Sequence, residues 1–111
     1  MYKNKASYVE FEVKNKTTGT QITGDAANIT MYASLDGGTV RTLTGNTTYG
    51  GAVTEIDATH LPGWYSQALT AAGTNGNSIL FGGGTTTTNG IVQGRIILTN
   101  YDVNKPRVDG H

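Results

Sequence analysis

The chain has 111 residues, eight Lys+Arg against eight Asp+Glu, and only 14% charged residues. That length supplies one core and one domain. The neutral balance argues against a nucleic-acid binder, which carries a basic excess to meet phosphates, and the low charge excludes a coiled coil or a charge-rich disordered chain. Gly (16), Thr (19) and Asn (9) together make 44 of the 111 residues. Thr favours strands, while Gly and Asn favour turns, so the composition predicts an all-β fold. With no cysteine, disulfides and thiolate–metal sites are out.

In chain order, the first element is a strand over residues 8–13. Val9, Phe11 and Val13 fall on one face and Tyr8, Glu10 and Glu12 on the other, the period of a half-buried antiparallel strand. A turn follows at residues 16–19. The second strand, residues 29–35, sends Ile29, Met31, Ala33 and Leu35 inward and stops at Asp36-Gly37-Gly38, a hairpin signal. Residues 39–44 read as the returning strand, with either Val40 and Thr42 or Arg41 and Leu43 inward. Residues 45–51 read as polar and loose, and residues 53–56 as a short strand.

Leu61-Pro62-Gly63 reads as a turn into a strand over residues 64–70, where Tyr65, Gln67 and Leu69 share a face. After a connection over residues 71–77, a strand begins at Ser78 and is expected to dissolve into Gly82-Gly83-Gly84 and Thr85 to Thr88. This low-complexity stretch reads either as a hairpin tip or as a tip that touches a neighbour. Asn89-Gly90 is a two-residue hairpin signal, and residues 91–99 return. The expected core is Val9, Phe11, Ile29, Met31, Leu35, Tyr65, Leu69, Leu80 and Ile97. Seven short strands with frequent turns predict a single antiparallel β-sandwich over residues 1–100. Residues 101–111 read as a polar C-terminal arm.

Little in the sequence points to catalysis. His60 and His111 have no partner at metal-ligand spacing. Ser66, His60 and Asp57 make a triad on paper only, because no nucleophile elbow positions the serine. Asp36-Gly37-Gly38 lacks the further ligands of a calcium loop. Gly82 to Gly84 lacks the Lys-Ser/Thr of a phosphate loop. The expectation is no enzyme, no cofactor and no metal. The longest apolar runs, Ile79-Leu80-Phe81 and Ile96-Ile97-Leu98, cannot span a membrane, and no signal peptide is read at the start. A soluble module without nucleic-acid or membrane partners is expected.

Four segments occur in a familiar order: YKNKAS at residues 2–7, TGDAANIT at 23–30, LDGG at 35–38 and GWYSQALTAAGTN at 63–75. This pattern resembles the immunoglobulin-like β-sandwich modules of tailed-bacteriophage virion structural proteins, over residues 2–99. Two positions depart from it. Gly73 stands where the family usually has Glu, and is expected to loosen the connection there. Gln67 stands where the family has an apolar residue, and is expected at a subunit interface or polar pocket. The resemblance implies a capsid decoration (cement or auxiliary head) protein, located in the virion after assembly in the host cytoplasm. It would bind the major capsid protein or other virion proteins, as a homo-oligomer or lattice-bound. A neck, tail or fibre-associated module is the alternative.

The arm supplies candidate intersubunit contacts at Tyr101, Val103, Pro106, Arg107 and Val108. The alternative is that the arm folds back over its own sandwich and covers an edge strand. A third reading, a carbohydrate-binding sandwich, would use Trp64, Tyr65 or Tyr32 as a stacking platform.

Overall fold

The computed structural model describes residues 1–86 and 89–99. Seven strands appear in chain order: β1 (Ser7–Asn15), β2 (Ile29–Leu35), β3 (Arg41–Thr42), β4 (Val53–Asp57), β5 (Leu61–Leu69), β6 (Ser78–Thr85) and β7 (Gly90–Leu98). The helices among the described residues are two single 3-10 turns, Ala26–Asn28 and Ala72–Thr74. Every strand pairing is antiparallel, in the order β3-β2-β6-β7-β1-β5-β4.

β1 curls this sheet on itself. Residues 7–12 pair with β5, whereas Val13, Lys14 and Asn15 pair with β7. The molecule is therefore a sandwich of β1-β5-β4 against β3-β2-β6-β7. These layers follow the B-E-D and C′-C-F-G order of immunoglobulin sandwiches. Among the described residues no strand occupies the place of strand A.

The core lies between the layers. Val9, Phe11 and Val13 alternate inward along β1 as their spacing predicts, and Ile29, Met31 and Ala33 do so along β2. Tyr65 and Leu69 come from β5, Ile79 and Phe81 from β6 and Val92 from β7. The Phe11 and Tyr65 rings stack across the β1–β5 pairing, centroids 6.0 Å apart. Each such large side chain contributes about 1.5–3 kcal/mol by leaving water. Leu35 and Ile97 are half-buried against the same cluster.

Leu80 is the correction to the expected core. It is 50% exposed, while its neighbours Ile79 and Phe81 are buried. Three apolar residues in a row carry no alternation. The pairing of Ser34 with Leu80 and of Leu35 with Ile79 decides the face. On the returning strand, Leu43 is the residue that turns inward, and Val40 is 63% exposed.

Three further boundaries differ from expectation. Leu61, Pro62 and Gly63 open β5 rather than precede it. The glycine run does not end β6, which continues through Thr85 in the middle of its layer. A Cβ at Gly83 would run into the Thr30 carbonyl, so β2 sits close against β6 because this position carries no side chain. Asn89 and Gly90 do not form a two-residue hairpin, since β6 ends at Thr85 and β7 begins at Gly90. Asn89 does take the left-handed conformation, φ 58°.

Both departures from the family pattern lie in the interior. Gln67 is fully buried and bonded at both ends. Its Nε2 donates to the carbonyls of Gly51 and Ala68 (2.9 Å each), and its Oε1 accepts from the Thr44 hydroxyl at 2.7 Å. The same hydroxyl accepts from the Met31 N–H at 2.8 Å. Gln67 thus ties the two layers through the core and faces no interface. Gly73 tightens its connection: it is buried, and a Cβ there would run into the Tyr49 carbonyl. The family's Glu does not fit this backbone.

Candidate functional site

Three of the four resembling segments bond to one another, and the segment at 35–38 bonds to Asn77 and Ser78, just beyond the last of them. Asp25 opens the 3-10 turn before β2. Its N–H donates to the Tyr65 hydroxyl (3.3 Å), which donates to the Ile22 carbonyl (2.7 Å). Asp36 and Gly37 both have positive φ (53° and 74°), as a type I′ hairpin turn requires. The Asp36 carboxylate accepts from the N–H groups of Asn77 and Ser78 at 2.9 and 3.0 Å. The Thr74 hydroxyl donates to the Lys5 carbonyl and accepts from the Lys5 N–H. These motifs are scaffold: each closes a turn or pins one segment to another. Asp36 is engaged as a turn brace.

Among the described residues, the Asp57 and His60 side chains form a close titratable pair. The Asp57 carboxylate accepts from the backbone N–H groups of His60 and Thr59 and meets the His60 ring at 2.9 Å. The His60 N–H, then the His60 ring, then the Thr59 N–H hold its carboxyl below the ordinary carboxylate range. This is a surface Asx turn between β4 and β5. Ser66 pairs with Thr54, three residues along β4 from Asp57, or about 10 Å at the rise of a strand. The paper triad is not assembled. Among the described residues, no group of three His, Cys, Asp or Glu side chains converges to hold a metal. No helix among them is long and apolar enough to cross a membrane.

The surface does carry a contiguous apolar face. On the outer side of β3-β2-β6-β7 stand Tyr32 (42% exposed), Leu80, Ile96 (65%) and Leu98 (73%), with Val40 at the β3 end. The register sets it. Tyr32 pairs with Gly82, Leu80 with Ser34 and Ile96, and Leu98 with Ser78, so all share one side. Gly82 adds a gap, since nothing lies near the position of its missing Cβ. The result is a shallow depression of about 360 Å³ lined by Tyr32, Val40, Leu80, Gly82 and Gly94. Five large apolar side chains on one face make more than the single exposed Leu or Ile expected of any surface.

A second groove of about 410 Å³ runs along the seam where β1 and β7 part, walled by Phe11, Glu12, Lys14, Trp64, Ile91 and Arg95.

Of the three candidate stacking residues, burial removes Tyr65. Tyr65 is completely buried, stacked on Phe11 and bonded through its hydroxyl. It offers no face to a sugar, because inward alternation on β5 places it in the core. Trp64 and Tyr32 are on different layers. Tyr101, Val103, Pro106, Arg107 and Val108 lie outside the described residues. Sequence reasoning missed the apolar face because Leu80 was assigned to the core and Ile96 to an undivided apolar run. A scan of family models, a search of curated proteins and a search of solved structures each return no match.

Proposed function

We propose that this chain is a non-enzymatic structural protein of a tailed-bacteriophage virion, a capsid decoration protein that docks on the major capsid protein or another virion protein. The observation that carries the reading is the apolar outer face of Tyr32, Val40, Leu80, Ile96 and Leu98. A face of this kind marks a protein-binding surface, and weak contacts of a small module multiply on a repeating lattice. The resemblance supplies the class of partner. The segments that carry it close turns and pin elements together, which supports a reading by architecture rather than by active site.

The test is the copy number of the chain in purified particles. A ratio to the major capsid protein near one, or a simple fraction of it, supports decoration. A few to a few tens of copies moves the protein to the neck, tail or fibre. Absence from particles overturns the reading. Replacing Leu80 by Glu should leave the domain folded and abolish its incorporation. Removing residues 101–111 asks the same of the arm: normal incorporation of the shortened chain would assign attachment to the sheet face alone.

A further inference from the structure

β7 carries an unused edge. Its β1 side is paired only at Gly90, Ile91 and Val92. Among the described residues no strand pairs with that side beyond Val92. The cause is local. The register with β6 shifts between Phe81 and Gly83, where Gly83 pairs with Val92 and Phe81 with Arg95. One extra residue on β7 makes a bulge, which bends the strand away from β1. At the parting, Arg95 Nη1 donates to the Glu10 carbonyl at 2.7 Å, so a side chain stands where strand pairing stops.

The backbone direction beyond the bulge follows from one bond. The Thr99 N–H donates to the Asn77 carbonyl, toward β6. Alternation then turns the N–H and C=O groups of Ile97 and Arg95 toward β6 and those of Ile96 and Leu98 to the free side. The Ile96-Ile97-Leu98 edge carries no Lys, no Pro and no charge, the usual means of blunting an edge strand.

We propose that this edge pairs antiparallel with β7 of a second copy of the chain, about a two-fold axis at Ile97. The two four-stranded layers would then form one continuous eight-stranded sheet. The occupant follows from self-complementarity, which an isologous contact demands. In this register Ile96 exchanges backbone bonds with Leu98 of the partner subunit, and Arg95 lies opposite Thr99 of the partner subunit. No like charges meet. The Ile96 and Leu98 side chains of both copies close into one apolar cluster flanked by Leu80. The apolar surface involved is on the order of a few hundred Å², below the about 800 Å² per partner of a stable interface. The pair therefore forms reversibly and depends on concentration. It extends the docking face rather than covering it, and it does not depend on which virion protein that face meets.

Sedimentation velocity of the full chain between about 10 μM and about 1 mM tests it, across the range of weak pairs. A dimer fraction that rises with concentration is expected. In the unaltered chain, amide hydrogen exchange at Ile96 and Leu98 should slow as the dimer forms. Ile96→Lys should weaken association at least tenfold. Because the chain has no cysteine, Ile97→Cys should give a disulfide-linked dimer on mild oxidation, and Thr42→Cys on the opposite edge should not. A monomer at every concentration overturns the proposal, as does a dimer indifferent to Ile96→Lys or linked equally through Thr42→Cys. Concentration-independent protection of the Ile96 and Leu98 amides in a monomer also overturns it, because the same chain would then cover its own edge.

Discussion

The Tyr65 hydroxyl works as both donor and acceptor, to the Ile22 carbonyl and from the Asp25 N–H, at the bottom of a stacked aromatic pair. Tyr65→Phe keeps the ring and removes both bonds. It should cost about 1–3 kcal/mol in urea denaturation, the usual penalty for orphaned polar groups. Burial first, then the charges of Glu55 and Asp25, push the Tyr65 phenol above its ordinary value, against the bond from Asp25. The unfolded chain then loses its proton at a lower pH than the native one. Stability from this group is complete below about pH 10 and declines as pH rises beyond it. The Phe variant should show a shallower decline, read from denaturation midpoints between neutral and alkaline pH. Gly73 gives a second test at this scale. Gly73→Ala would push a methyl into the Tyr49 carbonyl and should cost about 1–3 kcal/mol by overpacking, whereas a loose connection would tolerate it.

Strands β1 and β2 were legible in the sequence because strict alternation of apolar and polar residues leaves one choice of face. β6 was not. Ile79-Leu80-Phe81 reads the same in either register, and three glycines after it give no packing signal, since strand preference mostly reports side chains packed on a pleat. The face was settled by pairing with Ser34 and Leu35, forty-odd positions earlier in the chain. The candidate surface was hidden for the same reason. Gln67 is a different case: its partners Thr44 and Gly51 come from other loops, so no local pattern chooses between the polar pocket it occupies and an interface. The β6 assignment makes a paired prediction. Phe81→Ala should cost about 3–5 kcal/mol by leaving a cavity. Leu80→Ala should stay within about 0.5 kcal/mol, as surface changes do. Thermal or urea unfolding of both variants separates the registers, and equal losses would refute the outward placement of Leu80.

At the scale of the whole molecule, the curled sheet makes β1 the common member of both layers, and this has a kinetic consequence. β1 meets a nearby partner only at its end, where Lys14 bridges Gln21 and the Val13 carbonyl accepts from the Ile22 N–H. Its strand partners come later: β5 some fifty to sixty residues on and β7 more than seventy. Val9 and Phe11 must therefore wait in an unpaired strand until β5 has been synthesised, at about 5–20 residues per second. Domains dominated by such distant pairings fold in milliseconds to seconds. The chain carries its own reporter of the closing step: its single tryptophan, Trp64, lies opposite Glu12 in the β1–β5 pairing. Stopped-flow refolding followed by tryptophan fluorescence should show a slow phase in which Trp64 acquires its native environment. Joining β1 after β7 in a circular permutant would bring it next to one of its partners in sequence and should accelerate that phase. In the natural order, the strand that holds the two layers together is made before both strands it pairs with, and it must stay open until they arrive.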